Sequence, residues 1–324
     1  MKRRFLAILF AAAVFHPGAV VAPTASTGVG LLRPREAIPN TSPNGAAFVR
    51  GLAEQGYLLE QNLLIESRFV LGRMDNVSRL VQELVAAKVH VIVSMGFPAA
   101  LAAKRAGLPT VAACGVGDPV ATGVVNSLAQ PRGNFTGISE FATELSTKRL
   151  SLLREAVPGL RRVAMLWNNN YLGMTLHYQA ATKVAGTLGV AVQALGVQEP
   201  NDFDEAFAVI ERERPDAILI VADNLAFLNR KRIFDFAAAH RLPAIYELDA
   251  YACEGGLMSY GPDTTECFER AAALVGRILQ GASCATLPFE EPTRYVLVVN
   301  LKAAKVIGLD LPPSILASAD EVIE

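Results

Sequence analysis

Residues 89–104 read VHVIVSMGFPAALAAK. A short apolar run ends abruptly in Ser94-Met95-Gly96-Phe97, and an alanine-rich stretch that suits only a helix begins at Pro98. A run of this length, rich in β-branched residues, is a strand buried on both faces, and an immediate helix makes it part of a parallel sheet. Pro98 suits the first helical turn, where its missing N–H would go unpaired anyway. Gly96 lets backbone approach a ligand, and Ser94 adds a hydroxyl. The open amides of the first turn and the helix dipole favour an anion such as a carboxylate, by about 0.3–1 kcal/mol when exposed and up to about 2 when partly buried. Ligands of open parallel sheets bind beyond the carboxyl ends of the strands, so Ser94, Met95, Gly96 and Phe97 are candidate contacts. The plainer alternative is an ordinary strand-to-helix turn with Ser94 as its cap.

Working outward, strand-like and helix-like runs alternate. Strands are expected at 28–33, 62–70 and 110–113, with helices at 46–55, 75–88 (Asp75 as N-cap) and 98–106. The second half repeats the scheme. It has strands at 162–167, 190–197, 217–223 and 244–246, and helices at 175–188, 203–213 (opened by Asp202) and 225–240. Details align between halves: Gly56 with Gly189, Asp75 with Asp202, and GLPTVAA (107–113) with RLPAIYE (241–247). Asp75 to Val91 spans as many residues as Asp202 to Ile218. Such alternation implies two similar α/β domains with parallel sheets. GNFTGISE (133–140), EGGLMSYG (254–261) and LPFEEPT (287–293) carry the Gly and Pro that crossovers between domains need. Several such segments would form a hinge that lets the domains close over a bound molecule. The implied division is 28–138 plus 260–285 for one lobe and 139–259 plus 286–324 for the other.

Polar residues gather at the strand ends of both halves. Trp167-Asn168-Asn169-Asn170, Asp223-Asn224 and Tyr246-Glu247 stand in the second half, and GVGDP (115–119) in the first. Aromatic Trp167 and Tyr246, the amides of Asn168 and Asn170, and the carboxylates of Asp118 and Asp223 would line a cleft able to grip a small zwitterion or polar ring. Asp118 and Asp223 read equally well as an ammonium partner or a helix cap.

The 324 residues are 52% hydrophobic and 19% charged, with a formal net charge of −1. That is enough chain for two domains, and it gives no electrostatic case for nucleic acid or an anionic membrane as partner. Lys2-Arg3-Arg4 followed by FLAILFAAAVF and small residues near Ala19, Ala22 and Ala25 forms an export signal over 1–25, too short to span a membrane. The first cysteine is Cys114, which excludes a lipid-anchored form and points to a soluble exported protein. Cys114, Cys253, Cys267 and Cys284 lack metal-site spacing. Cys114 and Cys267 read as buried, while Cys253 could bridge to Cys267 or Cys284. No nucleophile–base constellation, dinucleotide fingerprint or metal motif is present, so no cofactor, metal or catalytic residue is expected. His90 reads as core, His240 as a helix end, and His177 as able to reach the cleft.

The runs GVGDPVATGVVNSLAQPRGNFTGIS, ILIVADNLAFLNRKRIFDFAAAHRLPAIY, EGGLMSYGPD and PTRYVLVVNLKAAKVIGLDLPPSILASADEVIE resemble the tryptophan-binding-like family of ABC-transporter substrate-binding proteins. The likeness covers about Gly28 to Glu324. Where that family more often has Asn-Pro-x-Asn, this chain has Trp-Asn-Asn-Asn-Tyr. The resemblance implies a type I periplasmic-binding-protein fold: two Rossmann-like lobes with parallel sheets joined by a three-segment hinge. It also implies an amino acid or related small carboxylate held between the lobes, an inner-membrane permease as partner, a periplasmic monomer, and no catalysis. Carried over by motif, the contacts are Ser94 to Phe97, Asp118, Asn168, Asn170, Asp223 and Tyr246. A ligand-sensing module presenting its closed form to a membrane receptor is the competing reading.

Overall fold

A computed structural model describes residues 26–33, 42–70, 76–139 and 142–324. The export signal and Asp75 lie outside them. The first lobe runs β1 (Thr27–Arg33), α1 (Pro43–Ala53), β2 (Leu63–Phe69), α2 (Val77–Ala86), β3 (Val91–Met95), α3 (Phe97–Arg105), β4 (Thr110–Cys114) and β5 (Phe135–Gly137). The second begins with α4 (Ala142–Ala156), β6 (Arg162–Asn168), α5 (Leu172–Ala185), β7 (Ala191–Val197), α6 (Asp202–Glu213) and β8 (Ala217–Ile220). It continues with α7 (Asn224–Leu228), α8 (Arg230–Ala239), β9 (Ala244–Tyr246), α9 (Asp249–Cys253) and β10 (Met258–Pro262). Then come α10 (Thr264–Leu279), β11 (Tyr295–Asn300), α11 (Leu301–Ile307), α12 (Pro313–Ser318) and β12 (Glu321–Ile323).

The first sheet has the order β2-β1-β3-β4-β5 and is parallel throughout. The second is β12-β11-β10-β9-β8-β6-β7, parallel except for β10 against β11. Read from β7, its first five strands repeat the order of the first sheet. The buried strands feed both faces: Val91 and Val93 enter the cluster under α1 and α10, while Ile92 enters the one under α2 and α3. In β8, Ala217 and Leu219 face one cluster and Ile218 and Ile220 the other. This period-two division explains why the sequence shows unbroken apolar runs rather than alternation.

The lobes trade helices. After β5 the chain crosses, and α4 packs on α5 over the second sheet; after β10 it crosses back, and α10 packs on α1 over the first. A third segment leads from Phe289, packed in the first lobe, to β11 in the second. Backbone bonds tie these passages together: Ser139 N–H to Glu290 O (2.8 Å) and Asp263 N–H to Arg294 O (2.9 Å). The middle passage is therefore at Pro262–Asp263 rather than within 254–261, because Met258–Pro262 is a strand of the second sheet. Tyr260 to Pro262 accordingly sit with the second lobe, and the first lobe resumes at α10. Gly261 marks the departure point, where an added Cβ would stand 1.8 Å from the Glu247 carbonyl oxygen.

The internal repeat has a physical basis. Ile92 N–H donates to Pro109 O, and Ile218 N–H to Pro243 O, both at 2.8 Å. Gly107 and Arg241 share positive φ (82° and 51°), as do Gly56 and Gly189 (86° and 68°). His90 Nδ1 accepts from Gly28 N–H at the foot of β1, and Asp216 accepts from Arg161 and Arg162 N–H at the foot of β6. The hydrogen bonds thus pair Ile92 with Ile218, one residue off the count that sets Val91 against Ile218. Asp202 lies inside the first turn of α6, with Asn201 before it as the cap, and its carboxylate instead accepts from Gln198 and Glu199 N–H. The helix expected over 225–240 is broken at Asn229.

Candidate functional site

The carboxyl ends of the two sheets face one another across a cavity of about 370 Å³. The first lobe supplies Arg33 from the end of β1, Met95, Gly96, Phe97 and Pro98 from the β3–α3 junction, and Cys114 and Gly115 after β4. The second supplies Asn168, Asn170, Tyr171 and Met174 after β6, Gln198 to Pro200 after β7, and Ala222 to Leu225 after β8. Phe227, Leu228, Asn229, Leu248 and Tyr251 complete that wall.

Where β3 gives way to α3, the strand bulges between Ser94 and Met95. The bulge sends Met95 to the cavity and leaves Ser94 wholly buried, its hydroxyl without a hydrogen-bond partner among the described residues. Gly96 takes φ 78°, ψ 149° as the N-cap of α3 and spends its N–H on Cys114 O. The amides of Phe97 and Ala99 belong to the first turn and have no intrahelical acceptor. Arg33, 9% exposed, adds a guanidinium to the same wall. Among the described residues, the first lobe thus brings a guanidinium and a helix N-terminus to the cavity.

The second lobe's contribution is negative. Asp223 Oδ1 accepts from Ala226 N–H (2.7 Å) as the cap of α7, and Oδ2 accepts from Asn168 Nδ2 (2.6 Å). The cap reading of Asp223 holds, and the same carboxylate lines the cavity. Burial raises its pKa above the usual carboxylate value, and the nearby charge of Glu247 adds to that, against the bonds from Ala226, Asn168 and Leu225. Asn168 Oδ1 in turn accepts from Asn170 N–H, which shapes the loop after β6.

Behind this wall lies a buried ionic hub that the sequence does not announce. Glu247 Oε1 accepts from Arg149 (2.6 Å) and from His177 Nδ1 (2.9 Å), and Oε2 accepts from Ala222 N–H (2.9 Å). Arg149 also donates to Tyr260 O. Burial alone would raise the Glu247 pKa, but the charges of Arg149 and His177 with these hydrogen bonds hold it down to about 2. The hub gathers α4, α5, β10 and the ends of β8 and β9, and it fixes Ala222 one residue before Asp223.

Of the residues expected from the sequence, Met95, Gly96, Phe97, Asn168, Asn170 and Asp223 line the cavity. Four do not. Ser94 is displaced by the bulge. Trp167 shares the side of β6 that carries Val163 and Met165, so it enters the core, stacked on Tyr178 at 4.2 Å. Tyr246 is buried with Ala244 on the opposite side of the second sheet and stacks on Tyr251, which does reach the cavity. Asp118 accepts from Val120 and Ala121 N–H and closes a turn outside the cavity. His177 stands behind the wall in the hub, His90 is exposed, and His240 pairs with Glu211. None of the four cysteines is in a disulfide, with Cys253 exposed and the other three buried, so the bridge from Cys253 is not formed. Arg33, Tyr171, Phe227 and Tyr251 escaped the sequence reading; Arg33 is the last residue of a strand and was the most legible of them.

Comparisons with known proteins bear on this cleft. The family model described as ABC transporter substrate binding protein matches residues 43–323. A tyrosine-binding protein of Clostridioides difficile is 21% identical over 273 residues, covering 84% of this chain and 78% of that protein. Among solved structures, an ABC domain in complex with L-Trp from Streptococcus pneumoniae superposes with a TM-score of 0.83 at 23% identity, covering 92% of this chain and 100% of that one. A conserved domain protein from Vibrio cholerae gives the same score and identity over 92% and 99%. No helix among the described residues is long and apolar enough to cross a membrane.

Proposed function

The chain belongs to the ABC transporter substrate-binding protein family, and from that premise we propose that its cleft captures a small zwitterion, an amino acid with an aromatic-sized apolar body, for delivery to an ABC permease. One observation carries the choice of ligand: the two walls of the cavity have opposite polarity. The open N-terminus of α3 suits a carboxylate, and Asp223 with Asn168 suits an ammonium. Phe97, Tyr171, Phe227, Leu248 and Tyr251 suit an aromatic body between them. A cavity of about 370 Å³ falls within the range of about 300–1,000 Å³ typical of small-molecule sites. The ligands named for the pneumococcal and clostridial relatives, L-Trp and tyrosine, agree with this chemistry.

Family membership supports capture rather than turnover. Both walls come from one chain, which supports a monomer as the working unit. The basic start and apolar run of the sequence support export to the periplasm with the leader removed. Binding closes the lobes only to the extent that the ligand prefers the closed form.

A thermal-shift screen of the mature protein against amino acids, nucleosides, sugars and small acids tests this reading. Aromatic amino acids should stabilise it by RT ln(1 + [L]/Kd), about 2.7 kcal/mol at a hundredfold excess over Kd. Stabilisation by a sugar or nucleoside, with none by any amino acid, would overturn it.

A further inference from the structure

The turn between β7 and α6 is held more firmly than a connection needs. Asp202, which the sequence marks as the opener of α6, turns its carboxylate back on Gln198 N–H (2.7 Å) and Glu199 N–H (3.1 Å). Its own N–H donates to Glu199 O (3.1 Å). From the loop after β6, Asn170 Nδ2 donates to Gln198 O (3.3 Å), and from α8, Arg232 donates to Pro200 O (2.8 Å). Pro200 has no N–H, so every backbone donor and acceptor of Gln198, Glu199 and Pro200 is bonded within the protein. Gly196 lets the loop after β6 lie this close, since an added Cβ there would stand 2.6 Å from Asn169 Nδ2. An exposed turn with its whole backbone satisfied keeps one shape, and only its side chains are left to meet a ligand.

This turn borders the cavity on its solvent side, and Glu199 is exposed there. Arg232, the cation that anchors the turn, is committed to Asp204. Among the charged residues that line the cavity, Arg33 stands against two carboxylates, Asp223 and Glu199. A zwitterion seated between the N-terminus of α3 and Asp223 uses both of its charges there. Glu199 is then left for the side chain of the ligand. An ionised carboxylate only accepts, so its partner is a donor such as a phenol O–H or an indole N–H.

We propose that Glu199 is a specificity-determining residue of the cleft: it accepts a hydrogen bond from the ligand's ring, so the site prefers aromatic amino acids that carry a ring donor over phenylalanine. The inference rests on the aromatic amino-acid reading above and adds to it the group that the ring must bear. Phenylalanine leaves the carboxylate without a partner in the occupied cleft. A hydrogen bond to a charged acceptor at so open a position corresponds to roughly tenfold in affinity.

Isothermal titration of L-tyrosine, L-tryptophan and L-phenylalanine into the mature protein and its Glu199→Ala variant tests it. In wild type, the tighter of the two donor-bearing ligands should bind about tenfold better than L-phenylalanine. In Glu199→Ala that preference should shrink to about twofold or less, through weaker binding of the donor-bearing ligand and with the Kd of L-phenylalanine unchanged. Equal affinities in wild type, or a preference that survives in Glu199→Ala, would overturn the proposal and leave the aromatic reading intact. An equal loss for all three ligands would overturn it too, because it would mark Glu199 as a support of the wall rather than a partner of the ring. Binding of none of the three would remove the aromatic reading and this inference with it.

Discussion

The two lobes share a strand order and the same turns, yet they hold their facing walls by different physics. At matching positions the first lobe's fourth strand carries Ala112-Ala113, whereas the second lobe's ends at Tyr246 and is followed by Glu247. The first wall is a bulged strand and a helix N-terminus set in an apolar core, with Arg33 at the end of a neighbouring strand. The second rests on a buried ionic hub, Arg149, His177 and Glu247, that grips the backbone just before Asp223. A duplicated frame therefore constrains strand order and turn geometry, while the polarity of each wall is set by a few unmatched residues.

Substitution can break this contrast most severely at the hub. Glu247→Gln leaves Arg149 buried without its counter-charge and should cost about 3–5 kcal/mol in urea unfolding. Ala113→Gly at the matching first-lobe position should cost only about 0.5–1. The same carboxylate gives the second lobe an acid limit. With its pKa lowered from 4.5 to about 2 in the folded protein, its stabilisation is fully present above pH 4.5 and lost as pH falls from there through 2. Glu247→Gln should flatten that limb of the stability profile.

The departure from the second sheet comes next in size. Gly261→Ala drives a methyl against the Glu247 carbonyl and should cost about 1–3 kcal/mol by thermal unfolding. Gly133, with open space at its Cβ position, should accept alanine without loss.

Wall polarity predicts a pH effect on binding. Asp223 has a raised pKa when the cleft is empty, and an ammonium beside it favours the charged form. Ligand affinity should therefore decline as pH falls through that raised value, in titrations at constant ionic strength, and Asp223→Asn should abolish the decline. Constant affinity through the acid range would separate Asp223 from the ammonium. The smallest effects belong to two residues that the strand-end pattern marks and packing withdraws. Trp167→Phe and Ser94→Ala should leave Kd unchanged, the first with a modest loss of stability and the second with none, since the Ser94 hydroxyl is buried unpaired.

Much of this frame is legible in the order of residues alone. Apolar runs such as HVIVS and AILIV could only be strands buried on both faces, and GLP against RLP marks the same positive-φ turn twice. The site is legible to the level of which strand ends face the cleft. It is not legible to the level of which side chains do, because orientation there depends on strand parity and on one bulge. Trp167 and Tyr246 stand at the right ends but point into the core. Tyr171 and Tyr251 reach the cavity from helix starts, where no periodicity assigns direction. The hub is invisible because Arg149, His177 and Glu247 lie far apart in sequence and meet only through packing.

Isothermal titration of L-tryptophan and L-tyrosine into the mature wild-type protein and its Asp223→Ala variant addresses the opposed walls most directly. Walls of opposite polarity predict binding to wild type and a Kd raised about 10- to 100-fold in the variant, the worth of one charged hydrogen bond. Equal affinity in the two proteins would contradict them.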